Sequence, residues 1–277
     1  MKPKKTKART NQKRAIRPEA TKAIVYILGE VANVEVYAAL CANHGYAVLY
    51  YCPESAALPA SLSPIGARRQ SKVPATASFA LELTNVDLEQ KRRNLELLDK
   101  SLPATTAIAS SSVTVTATEQ ASWIRQKHRL VGCSILPTLT DKPLVEVAPT
   151  VFSPAATVQV VQKFFGSLGK EIELVQDRIG MVFPRILCQM INEAAFALQE
   201  EIANPEDLDL AMKIGAGYPV GPIAWAEGIG LKQLCAVLKA LSQDLGEERI
   251  RISPLLTQMA HSGPWWQRTQ AIPQERH

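Results

Sequence analysis

A chain of 277 residues, 47% hydrophobic and 21% charged, is long enough for one large or two ordinary globular domains. Of its 31 Lys/Arg and 26 Asp/Glu, nine basic residues and one acid lie in residues 1–22, so the +5 net charge belongs to a tail and the body is slightly acidic. No apolar stretch reaches the roughly 18 residues of a membrane span, and the opening MKPKKTKARTNQKR lacks the apolar core of a secretory signal.

The tail is poor in apolar residues and reads as a disordered, solubilising extension rather than an anchor for nucleic acid. Cys41, Cys52, Cys133, Cys188 and Cys235 have neither metal nor redox spacing, which assigns no metal and suggests free thiols in the cytoplasm. AIVYIL (23–28) predicts a strand, Val31–His44 an amphipathic helix and YAVLYY (46–51) a second strand, the opening of a doubly wound sheet. Residues 53–77, rich in Pro, Ser and Ala, read as a loop. FALELT (79–84) is the next strand, and Asp87 caps a helix running to Ser101. TAIAS (106–110), LVGCSIL (130–136) and LVEVAP (144–149) follow as strands, with a helix near Ala117–Gln126. Pro154 opens a helix to Ser167, and EIELV (171–175) is the last strand.

Everything after Gly180 reads as helical. From Phe183 to Ile202, Ile186, Leu187, Met190, Ile191, Ala194, Ala195, Leu198 and Ile202 fall on one face, which suits either an internal core or a partner. The run GMVFPRILCQMINEAAFALQEEIANPEDLDLAMKIGAGYPVGPIAWAEGIGLKQL (180–234) resembles the C-terminal helical domain of the 3-hydroxyacyl-CoA dehydrogenases, in which GFxxNRLL…NEA precedes ED(I/L)D…MK.G.G.P.GP. The resemblance implies a mostly parallel, Rossmann-like α/β domain followed by an all-α domain. The expected division is a basic tail over 1–22, the α/β domain over 23–178, the helical domain over 179–265 and a tail over 266–277. It also implies a homodimer formed through the helical domain.

Family members carry GxGxxG after the first strand, where glycines admit the dinucleotide pyrophosphate. Here the segment reads Gly29-Glu30-Val31-Ala32-Asn33-Val34, and only Gly29 is kept. Val31 and Val34 replace the other two glycines, and Glu30 adds a negative charge. The ribose-binding acid falls at Cys52, with Glu54 a displaced substitute. No cofactor is assigned; if one binds, the resemblance makes it NAD. Arg68, Arg69 and Lys72 stand in the shortened segment that helps hold CoA in the family.

The family's catalytic residues fare no better. In Gly132-Cys133-Ser134-Ile135-Leu136-Pro137-Thr138, Ser134 takes the place of the histidine base; Glu146 of Leu144-Val145-Glu146-Val147 keeps the place of its carboxylate partner. A serine hydroxyl is too weak a base unless another group activates it. Val113 replaces the substrate-binding serine, although Ser112 and Thr114 flank it with hydroxyls that a one-residue shift would recruit. Pro184 replaces the asparagine of GFxxNR. His44, His128, His261 and His277 offer no evident substitute base. Three readings follow: a catalytically silent homologue acting as a dimer or as partner of an active paralogue; an active, rearranged dehydrogenase relying on a buried Glu146; and an acyl-CoA binding module without reaction.

Overall fold

The computed structural model describes residues 23–54, 61–246 and 250–263; the two terminal tails and His277 lie outside them. The strands are β1 (Ile24–Gly29), β2 (Ala47–Tyr51), β3 (Arg68–Arg69), β4 (Phe79–Leu83), β5 (Ala107–Ser111), β6 (Leu130–Cys133), β7 (Leu144–Pro149) and β8 (Glu171–Leu174). They form one sheet in the order β3-β2-β1-β4-β5-β6-β7-β8, parallel except between β6 and β7. Helices α1 (Val31–Asn43), α2 (Leu88–Ser101), α3 (Ala117–Ser122) and α4 (Ala155–Ser167) cover it.

The two-residue alternation of a strand explains the layering. Val25 and Ile27 of β1, Leu81 of β4 and Val131 of β6 join one core with Val34, Tyr37, Val161 and Phe165 of α1 and α4. Tyr26 and Leu28, Ala80, Ile108 and Leu130 point the other way, onto Leu95 and Leu98 of α2 and Ala121 of α3. Strands covered on both faces need unbroken apolar runs, which is why the sequence shows runs rather than alternation.

Beyond residue 180 the described residues form α5 (Phe183–Gln199), α6 (Pro205–Gly215), α7 (Pro222–Ile229), α8 (Leu231–Leu245) and α9 (Pro254–Ser262). Leu187, Ile191, Ala194 and Ala195 of α5 enter a core with α7, α8 and α9, while Ile186 and Ile202 remain 60% and 70% exposed. The apolar stripe of α5 is therefore mostly internal. Val113, Leu136 and Leu139 from the α/β half contribute to this same core and fuse the two halves.

Several boundaries differ from the sequence reading, each for a local reason. The strand expected over 130–136 stops at Cys133 because the Ile135 carbonyl accepts from Asn85 Nδ2 (2.9 Å) and Ser111 Oγ (3.2 Å) instead of a ladder partner. The helix expected to reach Gln126 ends at Ser122, since the Asp99 carboxylate takes the amides of Arg125 and Gln126 (2.9 and 3.3 Å). The long helix ends at Gln199, with Glu201 in the left-handed region at φ 57°. The expected loop over 53–77 contains β3, which pairs with Leu49 and Tyr50. Asp87 caps α2 as expected, accepting from Gln90 N at 2.9 Å.

The segment between the halves is tied down by Asp177, whose two carboxylate oxygens accept from Ala117 N and Thr118 N at 2.7 Å each. These are otherwise unpaired amides of the first turn of α3. Asp177→Ala should lower the unfolding free energy by about 1–2 kcal/mol, read from urea denaturation. An unchanged midpoint would mean that the cap contributes nothing.

Candidate functional site

The β6–β7 register pairs Val131 with Pro149, Gly132 with Ala148 and Cys133 with Val147, and its continuation sets Ser134 opposite Glu146. Ser134 N donates to Glu146 O (3.0 Å), and Glu146 N donates to Ser134 Oγ (3.1 Å). Gly132 is needed just below: a Cβ there would lie 2.6 Å from Ser112 Oγ and 2.7 Å from Ala117 Cβ. The structure thus brings the predicted Ser134 and Glu146 together.

The Glu146 side chain is held at the edge of the cleft by backbone amides. Its Oε2 accepts from Val182 N (2.9 Å) and its Oε1 from Phe183 N (2.7 Å). Gly180 and Met181, both left-handed at φ 73° and 50°, turn the chain so that the start of α5 meets this carboxylate. Both oxygens are spent on the positive end of a helix. Pro184, at the first turn of α5, is buried and supplies no polar group.

Val113 is fully buried and packs in the helical core, while its carbonyl accepts from Gly180 N at 3.0 Å. The hydroxyl of Ser112 is not recruited in its place. Ser112 is fully buried, with its Oγ donating to Ser110 O (3.2 Å) and accepting from Gln120 Nε2 (2.9 Å). Ser110 in turn joins Gln120 to Glu82, which pairs with the buried Lys91. Among the described residues Thr114 Oγ1 is buried without a hydrogen-bond partner. His44 caps α1, its Nδ1 2.8 Å from Leu40 O, and His128 and His261 are exposed away from the cleft.

A cleft of about 160 Å³ remains, lined by Ser134, Leu139, Lys142, Leu144, Glu146 and Phe183. Lys142 and Phe183 were not singled out from the sequence. Lys142 Nζ lies 4.7 Å above the Trp225 ring, and Phe183 meets the same ring edge-on at 6.1 Å, so three segments close one wall.

The dinucleotide position of such a sheet is the switch point where strand order reverses, here between β1 and β4. The chain fills it. A Cβ on Gly29 (φ 154°) would sit 2.7 Å from the Leu83 backbone, so strand packing alone requires this glycine. Val34 and Cys52 belong to the buried core and Val31 packs against it. Glu30, nearly fully buried, accepts from Asn85 N (3.0 Å) and Val86 N (2.6 Å) of the loop after β4. Asn33 and Asn85 both donate to Gln233 Oε1 of α8, at 3.1 and 2.9 Å. A phosphate here would meet the carboxyl groups of Glu30 and Glu54, the Asn85 and Val86 amides already given to Glu30, and a valine at the second glycine position. The residues present do not fit a dinucleotide. Arg69 stacks over Tyr51 at 5.4 Å, at the sheet edge.

Burial raises the Glu30 carboxyl above the usual 4.5; the amides of Val86 and Asn85 lower it, nearby Glu54 raises it further and Lys91 lowers it. Glu54 is itself raised, by desolvation and then by Asp87. A carboxyl raised on folding contributes full stability below its unfolded value and loses it as pH rises through the folded value. Wild-type stability relative to Glu30→Gln should therefore fall as pH rises above the ordinary carboxylate range in urea titrations. A flat or rising difference would contradict a desolvated carboxylate.

Residues 54–178 match the family model described as the NAD binding domain of 3-hydroxyacyl-CoA dehydrogenase, and residues 180–271 match its C-terminal domain. Gly29–Val34 lies before the first match. Among curated proteins, the chain is 30% identical to the probable 3-hydroxybutyryl-CoA dehydrogenase of Bacillus subtilis, over 68% of this chain and 65% of that one. It is 29% identical to the 3-hydroxybutyryl-CoA dehydrogenase of Bradyrhizobium diazoefficiens, over 76% and 72%. The matched part thus spans about two thirds of these relatives' length. The (S)-3-hydroxybutyryl-CoA dehydrogenase structure from Ralstonia eutropha shares the fold at a TM-score of 0.74, with 24% identity over 90% of this chain and 97% of that one. Two family models in chain order, together with these relatives, place the protein in the 3-hydroxyacyl-CoA dehydrogenase family, as a divergent member.

Proposed function

We propose that this protein is a catalytically silent member of its family that works by binding, as a homodimer or as partner of an active paralogue. The observation that carries the reading is the engagement of Glu146. Oxidation of a 3-hydroxyl to a ketone needs a base for the hydroxyl proton and an acceptor for the hydride. Ser134 is a hydroxyl where the family has a histidine, and both oxygens of Glu146 are held by Val182 N and Phe183 N. Loss of the general base alone removes roughly 10²–10⁴ in rate, and Glu30 and Val31 at the switch point work against a hydride acceptor's phosphates.

Support for a partner comes from α6. Leu208 packs inward, whereas Leu210 and Ile214, one turn apart, are 52% and 76% exposed, and Tyr218 just beyond is 40% exposed. Side chains of this size on one helix turn suit a protein interface. Light scattering should give twice the 30.3 kDa chain mass, and the double variant Leu210→Glu/Ile214→Glu should run as a monomer. A wild-type monomer would exclude the homodimer and leave the paralogue as partner.

Incubation with a 3-hydroxyacyl-CoA and NAD should produce no NADH above the uncatalysed rate, and NADH should bind more weakly than roughly 10 μM, about −7 kcal/mol. Turnover that Glu146→Gln abolishes, in a variant with an unchanged circular dichroism spectrum, would overturn silence in favour of a rearranged enzyme.

A further inference from the structure

At the switch point three side chains form one polar knot. Asn33 and Asn85 meet on Gln233 Oε1, and Glu30 accepts from the backbone amide of that same Asn85. All three are more than nine-tenths buried, at 6% exposure for Glu30, 0% for Asn33 and 1% for Asn85.

The amide donors of both asparagines are spent. Asn33 Nδ2 donates to Leu83 O (3.0 Å) and Gln233 Oε1 (3.1 Å), and Asn85 Nδ2 to Ile135 O and Gln233 Oε1 (both 2.9 Å). Turning either amide over would set its oxygen against two others, so these bonds fix which atom is left over. The Asn85 and Val86 amides both go to Glu30 Oε1. What remains is Glu30 Oε2, Asn33 Oδ1 and Asn85 Oδ1, buried acceptors with no hydrogen-bond partner among the described residues.

Neither nearby ammonium answers them. Lys91 donates to Glu82 and to Thr84 O, and the exposed Lys232 acts on Glu54. A water molecule brings two hydrogens to three acceptors and leaves the carboxylate charge unmet. A cation satisfies the oxygens and the charge together. One buried carboxylate with two neutral amide oxygens balances a single positive charge; a divalent ion would leave a net charge buried, since the Glu54 carboxyl is exposed. Carboxylate and amide oxygens suit a hard ion, and carbonyl-type oxygens can replace the water shell of an alkali cation.

We infer that Glu30 Oε2, Asn33 Oδ1 and Asn85 Oδ1 bind one alkali-metal cation at the switch point. The ion sits where relatives carry glycine-rich backbone suited to an anion, so the site has changed the sign of the charge it receives. Because Gln233 belongs to α8 and holds both asparagines, the ion braces the α/β half against the helical half. The inference stands apart from catalytic silence.

Thermal unfolding of the full chain in choline, sodium and potassium chloride, each at about 150 mM to equalise screening, tests it. At least one alkali salt should raise the melting temperature by about 2–4 °C over choline. The rise should vanish in Glu30→Gln and persist in Glu54→Gln, which removes an exposed charge only. Equal melting in the three salts, or a rise that Glu30→Gln keeps, would overturn the inference and leave a proton or a water on these oxygens. If Glu30→Gln does not fold, crystals of the unaltered protein in rubidium chloride decide: an anomalous peak in contact with the three oxygens supports the site, and no peak there refutes it.

Discussion

The hydrogen bonds from Val182 N and Phe183 N to the Glu146 carboxylate organise both halves of this molecule. Glu146 stands on β7, opposite Ser134, and grips the start of α5, the helix around which α7, α8 and α9 pack. A buried carboxylate is tolerable only where its charge is met, and the helix terminus meets it. The same contact explains why Pro184 is accepted: a first-turn residue needs no amide of its own.

The device recurs. Asp177 holds the start of α3, Asp209 accepts from Ile223 N and Ala224 N at the start of α7, and Glu30 takes the amides after β4. Each is a place where backbone amides would otherwise receive an anion from outside. At the switch point Glu30 ties the loop after β4 to the start of α1 and sets a carboxyl group where family members carry glycine-rich backbone. The fold has kept its shape by replacing ligand contacts with internal ones, which is how architecture and chemistry come apart.

Much of this was legible in the sequence. Strands such as LVEVAP (144–149) and helices such as Asp87–Ser101 announced themselves because their apolar spacing and caps are local properties. The Ser134–Glu146 pairing followed from a glycine and an LVEV motif twelve residues apart. The reach of Glu30 to Asn85 and of Gln233 to Asn33 was not legible: these partners lie 55 and 200 residues apart, and no periodicity marks a long-range polar contact. Nor did the serine-rich segment reveal that Ser112 is consumed by Gln120, since exposure and hydroxyl count look alike in one dimension. Lys142 was passed over because its neighbour Trp225 comes from another helix.

The shared acceptor on Gln233 has a consequence for how the molecule comes apart. Asn33 and Asn85 belong to the α/β half and Gln233 to α8, so parting the halves strips hydrogen bonds from buried amides and bares Val113, Leu136 and Leu139. Opening the seam therefore exposes polar groups and apolar surface on both sides at once. The two halves meet as parts of one interior, and a cut between them would lay Val113, Leu136 and Leu139 open to water.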